Sequence, residues 1–179
     1  MSKVYFVRHG ESEHNKLKRY AGTIDSPLTD LGREQAKKTA ELLKEKNITY
    51  ILTSSMSRAL DTASEIRKII DPSGNIPFEN TPLLKEVHFG DIQDEVYNEV
   101  KGINHGITSG TGDSAKELYE RATAVLRLIE SISAPGNILI VGHSSFTSVI
   151  FAVKNGKNED DLIEYRNQWS FNNGEVKEL

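Results

Sequence analysis

Val4-Tyr5-Phe6-Val7-Arg8-His9-Gly10-Glu11-Ser12 is an apolar, β-rich run that stops abruptly at Arg-His-Gly. The junction offers the parts for chemistry on a phosphate. Arg8 supplies a permanent, forked cation that suits phosphate oxygens, and His9 supplies a ring nitrogen that titrates near physiological pH. Gly10 lets the backbone approach closely or take positive φ where the strand ends. Open α/β sheets present reactive residues at the carboxyl ends of parallel strands. Taken alone, the same nine residues also describe an edge strand followed by a polar turn.

Further stretches recur in the order that one family requires. Asn15 follows the first motif, then Asp25-Ser26-Pro27-Leu28-Thr29 and Leu31-Gly32 leading into a helix. Thr53-Ser54-Ser55 with Arg58-Ala59 and Thr62-Ala63 lies on a strand-to-helix passage, and Leu84-Lys85-Glu86 precedes Phe89-Gly90. Val141-Gly142-His143 ends a late apolar strand, and Gly112-Asp113-Ser114 opens a helix. On these motifs the chain resembles the histidine phosphatase superfamily, the phosphoglycerate mutase-like family, from its first strand to about residue 150. The resemblance implies His9 as a nucleophile that carries the phosphoryl group, since a covalent intermediate splits one difficult displacement into two. It places Arg8, Arg58 and His143 around the phosphate, with Asn15 as a neutral donor, because a transferring phosphoryl group is stabilised mainly by charges aimed at its oxygens. Glu86 takes the position of the acid that protonates the leaving oxygen and then activates water.

Strand and helix signals alternate along the chain. Strands are expected at 3–7, 50–53, within 76–84 and at 137–141, with the last the most apolar and therefore central. Helices are expected at 31–46, from 58 to 70 with Ser54 or Ser55 as cap, at 114–132 and at 145–153. The end, from Trp169, reads as a turn and a closing edge strand. The alternation predicts one α/β domain over residues 1–179, a three-layer α/β/α sandwich around a mostly parallel sheet. Lys101 to Asp113 breaks the rhythm with four glycines. It reads plainly as a mobile linker, and its place between Glu86 and the long helix, where the resembled family carries covering insertions, favours a short lid.

Composition sets limits. A formal net charge of −4 over 179 residues argues against a nucleic-acid partner, which needs clustered positive charge. Lys16, Lys18 and Arg19 form a short basic cluster that reads as a solvated face with some capacity to steer an anion. No cysteine is present, so thiol chemistry and thiolate metal sites are excluded. His14 stands five residues after His9, but no recognised metal motif completes the pair, and no metal or cofactor is expected. No apolar run approaches the ~20 residues that span a bilayer, and the chain enters its first strand without room for a signal peptide, so a cytoplasmic location is expected. His88 and His105 are assigned no role.

Two departures from the family pattern stand out. Ile92-Gln93-Asp94 follows Gly90 where an aromatic, an acid and a glycine are common, which makes Asp91 a rival to Glu86. Ser144 replaces a common glycine after His143 and offers an extra hydroxyl to the phosphate pocket. The compact chain favours hydrolysis of a small phosphorylated metabolite. Phosphoglycerate mutase-type transfer, a phosphohistidine protein phosphatase and a binding module without turnover are the alternatives, and the oligomeric state is open.

Overall fold

The computed structural model describes residues 2–97, 104–165 and 170–179. Five strands form one sheet: β1 (Val4–Arg8), β2 (Ile48–Ser54), β3 (Phe78–Thr81), β4 (Asn137–Gly142) and β5 (Val176–Glu178), in the spatial order β3-β2-β4-β1-β5. All neighbours pair in parallel except β5, which closes the edge antiparallel to β1. β4 is the middle strand and is buried at every position after Asn137, as its unbroken apolar run requires of a strand covered on both faces.

Side-chain alternation divides the strands between two cores. Phe6, Ile138, Ile140 and Leu52 point to one face, where α5 (Ala115–Ser131) and α6 (Ser144–Lys154) cover them. Tyr5, Val7, Leu139, Val141 and Ile51 point to the other, under α2 (Asp30–Leu43) and α3 (Ser57–Ile70). α2 presents Ala36, Ala40 and Leu43 to this core, and α3 presents Ala59, Ala63 and Ile66, the spacing of one helical stripe. The result is the expected α/β/α sandwich. The short α1 (Glu13–Lys16), α4 (His105–Ser109) and α7 (Leu162–Tyr165) complete the α-helices among the described residues. Among the described residues no helix is long and apolar enough to cross a membrane.

Pairing register brings the motifs together. Arg8 lies beside Gly142 and Thr53 beside Val141, so His9, Ser54 and His143 leave the sheet side by side at its carboxyl edge. His9 N–H donates to the Gly142 carbonyl at 3.0 Å. Gly10 is required at the next position: a Cβ there would sit 2.2 Å from the Gly32 carbonyl oxygen, where α2 begins.

Neither Ser54 nor Ser55 caps α3. The N-cap residue is Met56, and Asp25, from a distant loop, takes Ser57 N–H at 3.1 Å and Ser57 Oγ–H at 2.7 Å on one carboxylate oxygen. Of the glycine-rich stretch, residues 101–103 lie outside the described residues. The rest packs against the segment after Glu86: Gly112 N–H donates to Gly106 O and Asp113 N–H to His88 O. Trp169, from which the final turn was read, also lies outside the described residues.

Candidate active site

His9 is 4 % exposed, and its protonation is dictated by its neighbours. Nδ1 lies 2.7 Å from the Gly10 carbonyl oxygen, which only accepts, so Nδ1 carries the hydrogen. Nε2 accepts Arg58 Nε–H at 3.1 Å and is therefore the unprotonated nitrogen, its lone pair resting on Arg58 until a phosphoryl group displaces that bond. Burial, then the charges of Arg58 and Arg8, hold the imidazole well below its usual 6.5. A neutral histidine with a directed Nε2 is the nucleophilic form.

Arg58 is 1 % exposed on the first turn of α3, and no carboxylate of the described residues is bound to it. Its guanidinium is held instead by backbone carbonyls, Nη1–H on Ile24 O at 2.9 Å and Nη2–H on Gly22 O at 2.8 Å. Burial pushes it down to about 10, so it stays a cation at neutral pH. Arg8 donates from Nη1 to Phe171 O, while its buried Nε has no partner among the described residues. His143 precedes α6 with Nε2 2.9 Å from Ser54 Oγ, and its buried Nδ1 likewise has no partner among them. Two guanidinium groups and two neutral imidazoles thus converge at the strand ends, with His9 and His143 ring centres 5.1 Å apart.

Arg8, His9 and Arg58 floor a cleft of about 340 Å³, whose walls include Asn15, Arg19, Tyr20, Glu86, Tyr97, Ser144, Ser145 and Ser148; His143, fully buried behind His9, does not itself line it. Glu86 is 7 % exposed. Its carboxylate accepts Phe146 N–H at 2.7 Å and Ser145 N–H at 3.1 Å from the first turn of α6, and Val87 N–H at 2.9 Å. The rival Asp91 does not line the cleft: its side chain is 62 % exposed and accepts from His105 Nε2 at 2.8 Å and Thr111 Oγ at 3.1 Å. Ser144 lines the cleft with Oγ 3.5 Å from Phe171 O. His14 faces Asp94 at 3.3 Å, and His88 Nδ1 accepts Gly90 N–H at 3.0 Å. Arg19 of the basic cluster lines the cleft as well, paired with Asp94.

Several contributors escape a reading by motif. Asp25 anchors the turn that carries Arg58. Thr62 accepts Gly10 N–H at 3.0 Å and donates to Arg58 O at 2.7 Å, joining the two motifs. Asn173, 158 residues after Asn15, donates from Nδ2 to Asn15 Oδ1. The only sequence signals were the serine-rich strand end and the asparagine pair in the last turn, neither specific.

The buried imidazoles make stability pH-dependent. His9 and His143 are both held well below 6.5 by burial, whereas in the unfolded chain they regain the ordinary value. Below about pH 6.5 the unfolded state therefore binds more protons than the folded state, and stability falls with pH. Each histidine contributes a slope of up to ~1.4 kcal/mol per pH unit until its folded pKa is reached. Urea unfolding between pH 7 and 5 should show a shallower decline in His143→Gln than in wild type; identical slopes would contradict the assignment.

The sequence profile of the histidine phosphatase superfamily (branch 1) matches residues 4–173. The chain is 35 % identical over 154 residues to the probable phosphoglycerate mutase GpmB of Photorhabdus laumondii subsp. laumondii, covering 80 % of this chain and 70 % of that protein. A structure of mycobacterial glucosyl-3-phosphoglycerate phosphatase with VO3 superposes with a TM-score of 0.81 at 22 % identity, covering 100 % of this chain and 92 % of that one. A putative alpha-ribazole-5'-P phosphatase from Escherichia coli superposes with a TM-score of 0.78 at 24 % identity, covering 99 % and 90 %. At these identities the structural likenesses establish the shared fold.

Proposed function

The chain belongs to the histidine phosphatase superfamily, branch 1, and from that premise we propose that it hydrolyses a small phosphomonoester through a phosphohistidine on His9. The observation that carries the reading is the directed lone pair of His9 Nε2, fixed by Nδ1–H on Gly10 O and flanked by Arg58. Nε2 attacks phosphorus, the P–O bond to the leaving group breaks, and Glu86 gives its proton to the departing oxygen. Water then attacks phosphorus, Glu86 takes its proton, the N–P bond breaks and free His9 returns with inorganic phosphate. Arg8 and Arg58, with Asn15, His143 and Ser144, bind the phosphoryl oxygens in both steps, supplying the charge stabilisation that such a transition state needs.

Return of the phosphoryl group to an organic acceptor, as in a mutase, would use the same first step. Water access favours hydrolysis: Tyr97 is 53 % exposed and the Arg19 side chain 39 % exposed on the outer wall of the cleft, so water enters with substrate. The names of the phosphatases that share the fold fit this reading.

A panel of phosphorylated metabolites assayed with chelator and with vanadate tests the proposal. With cations from the protein around the phosphate, turnover should persist in excess chelator. Vanadate, which becomes five-coordinate on a nucleophilic nitrogen, should inhibit as a transition-state mimic. Activity lost in chelator and restored by a divalent ion would sink the metal-independent mechanism, and indifference to millimolar vanadate would count against His9 as nucleophile.

A further inference from the structure

We propose that Asn173, in the turn before β5, is a positioning residue that turns Asn15 into a one-way hydrogen-bond donor toward the phosphate and fixes the main chain of His9. The Asn173 amide nitrogen spends both its hydrogens on the site. It donates to His9 O at 3.0 Å and to Asn15 Oδ1 at 3.1 Å. The same Asn15 oxygen receives Ser12 N–H at 3.1 Å and Ser12 Oγ–H at 3.2 Å. A flipped Asn15 amide would turn its NH2 against two donors, the Ser12 main chain and the Asn173 amide, so its orientation is set. Asn15 Nδ2 is then the end turned away from these donors, without a partner among the described residues, and Asn15 lines the cleft.

The turn that presents Asn173 is itself tied to the strand end. Gly174, at φ 74°, donates N–H to Arg8 O at 3.0 Å, and Glu175 O accepts Arg8 N–H at 3.2 Å. Thr39 Oγ–H holds Gly174 O at 2.7 Å, and Asn172 N–H is closed onto the Glu175 carboxylate at 2.7 Å. Two residues before Asn173, Phe171 O accepts both Arg8 Nη1–H and Ser144 Oγ–H. The final turn therefore touches Arg8, His9, Asn15 and Ser144, four of the groups read as phosphate chemistry. Pre-oriented donors act on a transition state without reorganising when charge develops, and Asn173 supplies that pre-orientation from the far end of the chain.

The inference rests on the phosphohistidine reading and is tested by a double-mutant cycle of Asn173→Ala and Asn15→Ala. The readouts are kcat/KM on p-nitrophenyl phosphate and the inhibition constant of vanadate, at a temperature well below the Tm of each variant. Loss of a hydrogen bond to a charged ligand predicts about 10- to 100-fold in kcat/KM for Asn15→Ala, and Asn173→Ala, which acts through Asn15 and the His9 main chain, should lose about 10-fold. The double variant should fall short of the product of the two losses by ~3-fold or more, the mark of one residue acting through the other. Asn173→Asp preserves shape but faces two carbonyl oxygens with an acceptor. Its activity relative to wild type should rise as pH falls and the new carboxyl gains a proton to donate, a signature that a merely structural loss would not give. This variant also carries the test if Asn173→Ala does not fold. Losses that multiply, or an Asn173→Asp ratio flat with pH, would overturn the role of Asn173. A wild type that neither hydrolyses phosphomonoesters nor binds vanadate would overturn the underlying reading instead.

Discussion

His9→Ala should lose turnover by ~10⁴-fold or more, the scale seen when a covalent nucleophile is removed, and should carry no acid-labile phosphate after quenching with a phosphorylated substrate. The expectation follows from how the site partitions its two imidazoles. Only His9 has a nitrogen whose proton is committed elsewhere and whose opposite lone pair meets an arginine in the cleft. His143 is 5.1 Å away between ring centres and has Nε2 engaged with Ser54 Oγ, leaving Nδ1 as its orphan atom. The alanine leaves Arg8, Arg58 and His143 in place, so phosphate binding should persist while labelling fails. Binding without labelling is the decisive pair of results. If His9→Ala still forms an acid-labile phosphoenzyme, His143 or another group is the nucleophile and the assignment is wrong.

The strand ends were legible in the sequence because each motif coincides with an abrupt change from apolar to polar residues. Val7 to His9 and Val141 to His143 are such changes, and parallel pairing between β1 and β4 makes them neighbours. What the sequence hid are partners that meet through the fold. Asp25 caps α3 across 32 residues, Glu86 closes on the first turn of α6 across 60, and Asn173 reaches Asn15 across 158. Side-chain caps from within a helix's own sequence can be read from spacing, but a cap supplied by a distant loop has no local signature. Glycine in the 101–113 stretch has a second use that its count does not reveal: a Cβ on Gly112 would lie 2.2 Å from His88 O and one on Gly106 2.9 Å from the same oxygen. At those two positions glycine permits close packing, and none of the described residues of that stretch lines the cleft.

Electrostatics join the fold to the chemistry. A chain with net charge −4 gathers Arg8, Arg58 and Arg19 around one cleft whose only carboxylate among the described lining residues is Glu86. Two of these arginines are buried or partly buried on backbone carbonyls, with no carboxylate of the described residues bound to them, an arrangement that spends stability to keep positive charge available for a ligand. An anionic substrate restores the balance.

Glu86→Gln should separate proton transfer from positioning and decide between Glu86 and Asp91. A leaving alkoxide needs a proton as the P–O bond breaks, whereas nitrophenolate departs as its anion. The amide cannot deliver that proton, so hydrolysis of alkyl phosphates should drop by about 10²- to 10⁴-fold, the usual contribution of general acid catalysis. Phosphorylation of His9 by p-nitrophenyl phosphate should be spared, and slow breakdown of the phosphohistidine should then appear as a burst. The structure adds a complication: both oxygens of Glu86 are occupied by N–H donors, from Val87, Ser145 and Phe146. Glutamine must turn its own NH2 toward at least one of them, at a cost of ~1–3 kcal/mol in stability, so a lowered Tm is expected alongside the kinetic defect. A rate loss alone is therefore no proof of acid catalysis, and the dependence on leaving group is the measurement that counts. Equal losses on alkyl and nitrophenyl substrates would mean that Glu86 serves only to hold α6 against the cleft. Asp91→Asn should alter neither substrate preference nor burst, because Asp91 faces His105 and Thr111 outside the cleft. If Asp91→Asn shows the leaving-group dependence and Glu86→Gln does not, the acid has been placed on the wrong residue.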